Sequence, residues 1–190
     1  MPSIMSFELF IEPDTMPKTM PGMRNSRKIS DTIARIIGAV DAVRSPSAAR
    51  HAESAGSAAS CLDTVVDYLK TRKQFGKLIG SYQALKHPTV EILTGVDSSR
   101  SFVYHAASLV AEGPLDKDAE IACRMAKAQA TDTLLYAGDR AVQFHGGMGF
   151  TWEFNCHLYY RRAQSLALLL GGQRIWKNLL VDRLQQQTAA

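Results

Sequence analysis

A chain of 190 residues, 46% hydrophobic and 21% charged, fits one ordinary soluble domain with a real core and is no disordered tract. The formal charge of +4 is mild, and basic and acidic residues interleave, which points to a solvated surface and away from a nucleic-acid groove. No stretch approaches the ~20 consecutive apolar residues of a membrane span. Residues 1–11 show no basic region followed by an apolar run, so no secretory signal is read there.

Three scattered cysteines, Cys61, Cys123 and Cys156, form no CxxC pair. They are expected to be free thiols in a reducing compartment, with no disulfide framework and no zinc site, and the cytoplasm is the expected location.

The first 45 residues differ in character from the rest. Four of the seven prolines (Pro2, Pro13, Pro17, Pro21) and five of the seven methionines fall within the first 23 positions. Proline fixes φ and removes donors, so this part is neither one helix nor a good central strand. Phe7–Ile11 could form a short strand, and Ile29, Ile33, Ile36, Ile37 and Val40 have helical spacing. Residues 1–45 are read as a separate, mostly irregular arm, of which residues 1 to about 28 are expected to be less ordered than the bundle.

From Pro46 the pattern turns helical. Ser45 offers an N-cap, Pro46 a first-turn proline, and an alanine-rich helix runs through Leu62, Val65, Val66 and Leu69 to end near Gly76. A second helix carries Leu93, Val96, Arg100, Val103, Ala107 and Val110 on one face, with Pro88 expected to set a boundary or a kink near its start. Pro114 and Asp116 open a third, with Asp118 and Glu120 favourable to its dipole and Gly146-Gly147 as its stop. Shorter helices are expected at about 155–169 and 173–187. Strand alternation is absent past residue 46, and no long repeat is visible. The predicted architecture is all-α, an up-down helical bundle over residues 46–187.

Two motifs give the bundle a family resemblance. The stretch Arg72-Lys73-Gln74-Phe75-Gly76, followed by Gln83, resembles the R-x-x-F-G…Q signature of the acyl-CoA dehydrogenases. About 60 residues later, Gln143-Phe144-His145-Gly146-Gly147-Met148-Gly149-Phe150-Thr151-Trp152-Glu153 is similar to that family's Q-x-x-G-G-x-G-[FY]-T-x-E segment, and Tyr160-Arg161-Arg162-Ala163 stands where the family has Y-R-D-A. The wording around Lys70 and Gln83 leans toward bacterial members that pair as large and small subunits.

The resemblance implies a flavin role. Arg72 would reach the pyrophosphate of an FAD held mainly by a neighbouring subunit, a task suited to a planar, always charged fork. Phe75 would pack against the flavin, Gln83 would hydrogen-bond the cofactor, and Gln143, Gly146 and Gly147 would meet its adenosine part. Taken without the family, Arg72 is a solvated helix-end arginine, Phe75 ordinary core, Gln83 a polar side chain near an N-cap, and the two glycines a plain helix stop. This GGxG ends a helix instead of following a strand, so it is not a Rossmann fingerprint. His145 reads as a structural histidine, packed or exposed.

The family reaction is α,β-dehydrogenation of an acyl-CoA thioester, in which a carboxylate takes the α-proton and hydride leaves to the flavin. In the matching stretch Leu168-Leu169-Leu170-Gly171-Gly172-Gln173, Leu170 occupies the place of that glutamate and Gly172 that of the following threonine. A minority position for the base, on the first bundle helix, lands on Pro46. Glu53, the nearest glutamate, is two turns away and reads as a solvated face residue. Family members also carry a helical domain and a β-domain ahead of the bundle, and the 45 residues before Pro46 match neither.

The expectation is therefore an acyl-CoA dehydrogenase-like chain, truncated or non-catalytic, with no catalytic residue of its own. It would contribute to a shared FAD site and meet acyl-CoA only beside a flavin-domain partner, in a homo- or hetero-oligomer. A helical oligomerisation or binding module without flavin, and an inert fragment that still folds, remain as alternatives.

Overall fold

The computed structural model describes residues 46–112, 116–169 and 173–188. The strand and helix expected within residues 1–45, the Ser45 cap, Pro114, and the Leu170–Gly172 stretch all lie outside the described residues. Among the described residues there are five α-helices, two short 3₁₀ turns (Ile79–Ser81 and Gly146–Phe150) and a hairpin of two-residue strands: α1 (Pro46–Thr71), β1 (Lys73–Gln74), β2 (Lys77–Leu78), α2 (Gln83–Glu112), α3 (Lys117–His145), α4 (Cys156–Leu168) and α5 (Gln173–Thr188).

The alanine-rich start of α1 lets helices approach closely. Ala52 and Ala55 pack against Val103, Ala106 and Val110 at the far end of α2, and against Ala119, Ala122, Cys123, Ala126 and Ala130 near the start of α3. The later part of α1 (Cys61, Leu62, Val65, Leu69) meets Ile92 and Val96 early in α2 and Leu134, Ala137, Ala141 and Val142 late in α3. The first three helices thus run up, down and up.

Helix α3 is central and touches the other four. Asp116 caps it, accepting a 2.8 Å hydrogen bond from the Ala119 amide, and Asp118 and Glu120 occupy its first turn as the dipole favours. Gly138 gives α4 its path, because a Cβ there would stand 3.0 Å from the Tyr160 Cα. Polar contacts hold α5: Arg124 donates to the Leu179 carbonyl at 2.6 Å, Lys177 pairs with Asp132 at 2.7 Å, and Arg183 donates to Glu120 at 2.8 Å. Both α4 and α5 run antiparallel to α3 and share its length.

Two expectations are corrected. The first helix stops at Thr71, five residues before Gly76, and the chain then turns through β1 and β2, which pair antiparallel with Gln74 opposite Lys77 and Lys73 opposite Leu78. Phe75 and Gly76 at the tip have φ of 53° and 75°, and positive φ at both central residues is what a type I′ hairpin turn requires. Strands of two residues are too short to show alternation, so the pattern hid them. Pro88, in turn, is no boundary: α2 begins at Gln83 and runs through it. It sits in the second turn, where the lost N–H removes a single bond to the Ala84 carbonyl and thirty residues of helix absorb that loss.

Candidate functional site

The hairpin and the turn at the end of α3 stand side by side and enclose a cleft of about 480 Å³. The hairpin side is built on α1. The Arg72 amide donates to the Tyr68 carbonyl at 2.9 Å, and the Arg72 carbonyl receives the Ile79 amide at 2.9 Å, so the last turn of α1 fixes where the hairpin leaves. Tyr82 braces the hairpin near its tip by donating from its hydroxyl to the Gln74 carbonyl at 3.2 Å. Gly80 lets the returning chain lie against the end of α1, because a Cβ there would fall 2.8 Å from the Leu69 carbonyl oxygen.

The opposite wall begins where α3 ends. Gly146, with φ of 60°, is its C-cap, and its amide donates to the Gln143 carbonyl. The chain continues in a 3₁₀ turn over Gly146–Phe150. The glycines of this motif divide into two kinds. Gly149 is demanded by packing, since a Cβ would stand 2.6 Å from the Val142 carbonyl oxygen. A Cβ on Gly146 or Gly147 would meet nothing within 4 Å, so bare backbone faces open space there.

Between the walls lies an aromatic floor. His145 stacks on Tyr68 with ring centroids 3.9 Å apart, and Phe154 meets both rings at 5.3 and 6.0 Å. Nδ1 of His145 donates to the Ala141 carbonyl at 2.8 Å, which fixes the tautomer. Burial holds its pKa below the ordinary histidine value, against the raising effect of that hydrogen bond. His145 is thus a packed histidine.

Of the six sequence-predicted contacts, Arg72, Phe75, Gly146 and Gly147 line the cleft together. Gln83 and Gln143 do not. Both are exposed beside it, and the Gln83 amide is engaged with Nε2 of His87 at 2.6 Å. The Arg72 side chain is exposed and has no carboxylate partner among the described residues. Phe75 is 90% exposed while held at positive φ, a conformation that costs a non-glycine residue about 1–3 kcal/mol.

Tyr68, Tyr82, Phe144 and Met148 also line the cleft and were not singled out from sequence. Tyr68 had a signal, lying one helical turn before Arg72 on the same face. The others depend on how the two loops meet.

No carboxylate lines the cleft among the described residues. Glu53 belongs elsewhere, accepting from Arg162 Nε at 2.6 Å across α1 and α4. Cys61, Cys123 and Cys156 are buried free thiols whose pKa values burial raises, that of Cys156 to about 11, so none is an activated nucleophile. No cluster of three potential metal ligands exists among the described residues.

An exposed guanidinium, an exposed aromatic ring and bare backbone thus stand around one open cleft of a helical domain. Residues 46–185 match the family model described as acyl-CoA dehydrogenase, C-terminal domain. The chain belongs to the acyl-CoA dehydrogenase family.

Among its relatives, acyl-CoA dehydrogenase IpdE2 of Mycolicibacterium smegmatis is 38% identical over 123 residues, covering 65% of this chain and 37% of that protein. Acyl-CoA dehydrogenase FadE34 of Mycobacterium tuberculosis is 38% identical over 125 residues, 66% of this chain and 17% of that protein. The chain therefore spans well under half the length of these relatives. Among solved structures, the Tcur3481-Tcur3483 steroid ACAD G363A variant superposes with a TM-score of 0.71 at 26% identity, over 76% of this chain and 39% of that one. The ChsE4-ChsE5 complex from Mycobacterium tuberculosis does so with 0.69 at 27% identity, over 73% and 37%.

Proposed function

We propose that this helical domain completes an FAD site whose larger part lies on another domain or subunit, within an acyl-CoA dehydrogenase. One observation carries the reading. A strained, exposed Phe75 and an Arg72 without a carboxylate partner among the described residues stand across an open cleft from the bare backbone of Gly146-Gly147. The hairpin turn and the helix stop account for the backbone at Phe75 and Gly146, but nothing described within the domain uses the exposed ring or the Arg72 guanidinium. A dinucleotide would, because its pyrophosphate suits the Arg72 fork and its flat rings suit an exposed phenylalanine. Glycines without Cβ let its adenosine part come close to backbone amides. Gln83 and Gln143, exposed at the rim, would turn to it as secondary contacts.

FAD, when bound, would accept the hydride equivalent lost by an acyl-CoA thioester. This domain's residues would hold and orient it, while the base comes from outside the described residues. Leu170, at the family position of that base, has no proton-accepting group. A subunit or domain without catalysis of its own is the role that fits. Some relatives belong to complexes, such as the caffeyl-CoA reductase-Etf complex subunit CarC of Acetobacterium woodii. Residues 1–45 would form a separate arm outside the bundle.

No helix among the described residues is long and apolar enough to cross a membrane. The three free buried thiols favour the reducing cytoplasm. An oligomerisation module without flavin is the competing reading.

Flavin content decides between them. The chain purified with its native partners should show a flavin absorbance band, and Arg72→Ala should reduce the bound flavin about tenfold or more, as expected on losing charge-assisted hydrogen bonds. A native assembly free of flavin would select the oligomerisation module. The chain alone, with added FAD and an artificial electron acceptor, should not turn over any acyl-CoA, and Leu170→Glu should not restore turnover without a flavin-domain partner. Substrate-dependent reduction by the purified chain would defeat the non-catalytic reading.

A further inference from the structure

The two walls of the cleft are joined at its floor by rings drawn from three different elements. Tyr68 comes from the last turn of α1, His145 is the last residue of α3, and Phe154 lies on the link to α4. The Tyr68 and His145 ring centroids are 3.9 Å apart and the rings are inclined by only 21°, face against face, while Phe154 meets Tyr68 edge-on at 77°. Tyr68 and His145 both line the cleft, and His145 is 4% exposed.

Each of the two stacked residues is tied directly to a ligand-facing group. The Tyr68 carbonyl accepts from the Arg72 amide at 2.9 Å, and Gly146 follows His145 in the chain. Nδ1 of His145 donates to the Ala141 carbonyl at 2.8 Å, on its own helix, so α3 sets the plane of the ring. That plane presents a face to α1, and stacked faces approach no closer than carbon contact distance, about 3.5–4.0 Å. An unbranched aliphatic side chain would fill the same space without fixing a distance.

We propose that His145 is a positioning residue for this cleft: stacked on Tyr68, it sets the separation of the Arg72 hairpin from the Gly146-Gly147 turn, so that both walls grip one dinucleotide. This role rests on the shared FAD site proposed above and assigns the part that fixes its width. His145 acts through the two walls. The ring face matters more than the ring's hydrogen bond, because the face alone crosses from α3 to α1. The separation matters only while both walls hold the ligand, because a site gripped from one side has no width to match.

The test compares two variants of the full chain in its native assembly. His145→Phe keeps a flat face and loses the bond to Ala141, whereas His145→Asn keeps an amide donor and loses the face. The Kd for FAD should rise about tenfold in His145→Asn, the equivalent of one charge-assisted hydrogen bond, and stay within about threefold in His145→Phe. Tyr68→Leu removes the face from the α1 side, should match His145→Asn, and takes its place if that variant does not fold. In an Arg72→Ala background, His145→Asn should add under about twofold, since one wall has already let go. Equal losses in His145→Phe and His145→Asn, or a full tenfold loss in both backgrounds, would overturn the positioning role. Crystal structures of the full chain read the width without any flavin: the Arg72 to Gly147 Cα separation should change by about 1 Å or more in His145→Asn and hold in His145→Phe. An unchanged separation in His145→Asn would also overturn it. Failure of the shared site itself shows differently, as a wild-type assembly free of flavin, and the two separations then still decide whether His145 sets the width.

Discussion

The two ends of the bundle obey different rules. At the end where α1 begins, Ala52, Ala55, Ala106, Ala119, Ala122, Ala126 and Ala130 bring three helices into close contact, and all are buried. At the other end, Phe75 stands 90% exposed at φ of 53°, and Gly146 turns the backbone at φ of 60° with open space around it. These alanines are explained by what they touch inside the domain. In the second region the hairpin turn and the helix stop explain the backbone, but not the exposed Phe75 ring. Function is sought where the domain's own packing fails to account for its residues.

The contrast predicts that core changes damage the fold while cleft changes spare it. Leu134 is fully buried between α1 and α2, so Leu134→Ala should cost about 2–5 kcal/mol of stability, read as a lower urea midpoint at unchanged slope. Of the substitutions proposed, this should have the largest effect on stability. A loss well under 1 kcal/mol would mean that the bundle is loosely packed, and the division between its ends would lose its meaning.

Acid offers a second way to sharpen the contrast, because the histidines are unequally buried. His51 is buried near the Lys127 charge, on which Arg50 and Glu53 act in turn, and its pKa lies near 3, depressed by burial first and by the Lys127 charge second. An unfolded histidine titrates near 6.5. The neutral ring is therefore the form that the fold keeps, and its contribution is fully present above about pH 6.5. That contribution is lost as pH falls toward 3, at about 1.4 kcal/mol per unit, or on the order of 2 kcal/mol by pH 5. Urea midpoints measured across this range should fall toward acid, and His51→Phe should flatten most of the slope. An unchanged slope in that variant would assign the acid sensitivity to another group, with His145 as the next candidate.

Much of this was legible in the chain itself, for identifiable reasons. The helices were, because Asp116, the periodic apolar positions and Gly146 signal start, face and stop in local sequence. Arg72, Phe75, Gly146 and Gly147 were legible only as motifs, and that they share one cleft comes from the packing of α1 against α3. The hairpin was missed because two-residue strands have no periodicity to read. Pro88 was expected to set a boundary or a kink, and the boundary fails because the helix had already begun at Gln83. The burial of His51 and Lys127 was invisible for a different reason. A histidine and a lysine in helical sequence read as surface, and only the alanines beside them turn those positions inward.

The smallest effect on stability belongs to the hairpin tip, and it bears most directly on the contrast. Gly76, at φ of 75°, has nothing within 4 Å of where a Cβ would stand. Gly76→Ala would therefore clash with nothing and suffer only the backbone penalty, about 1 kcal/mol. Phe75→Gly runs the other way. It removes the strain at φ of 53° and gives up almost no burial, because the ring is nearly all in solvent. Its opposing cost is the larger freedom of glycine in the unfolded chain, so the net change should be a stabilisation of under about 1 kcal/mol. Flavin retention in the native assembly should nevertheless fall, since the ring proposed to meet the cofactor is gone. A variant that is no less stable and binds flavin less well would separate the two ends of the bundle cleanly. A large loss of stability would show instead that Phe75 packs within the domain, and the reading of its exposure as functional would fail.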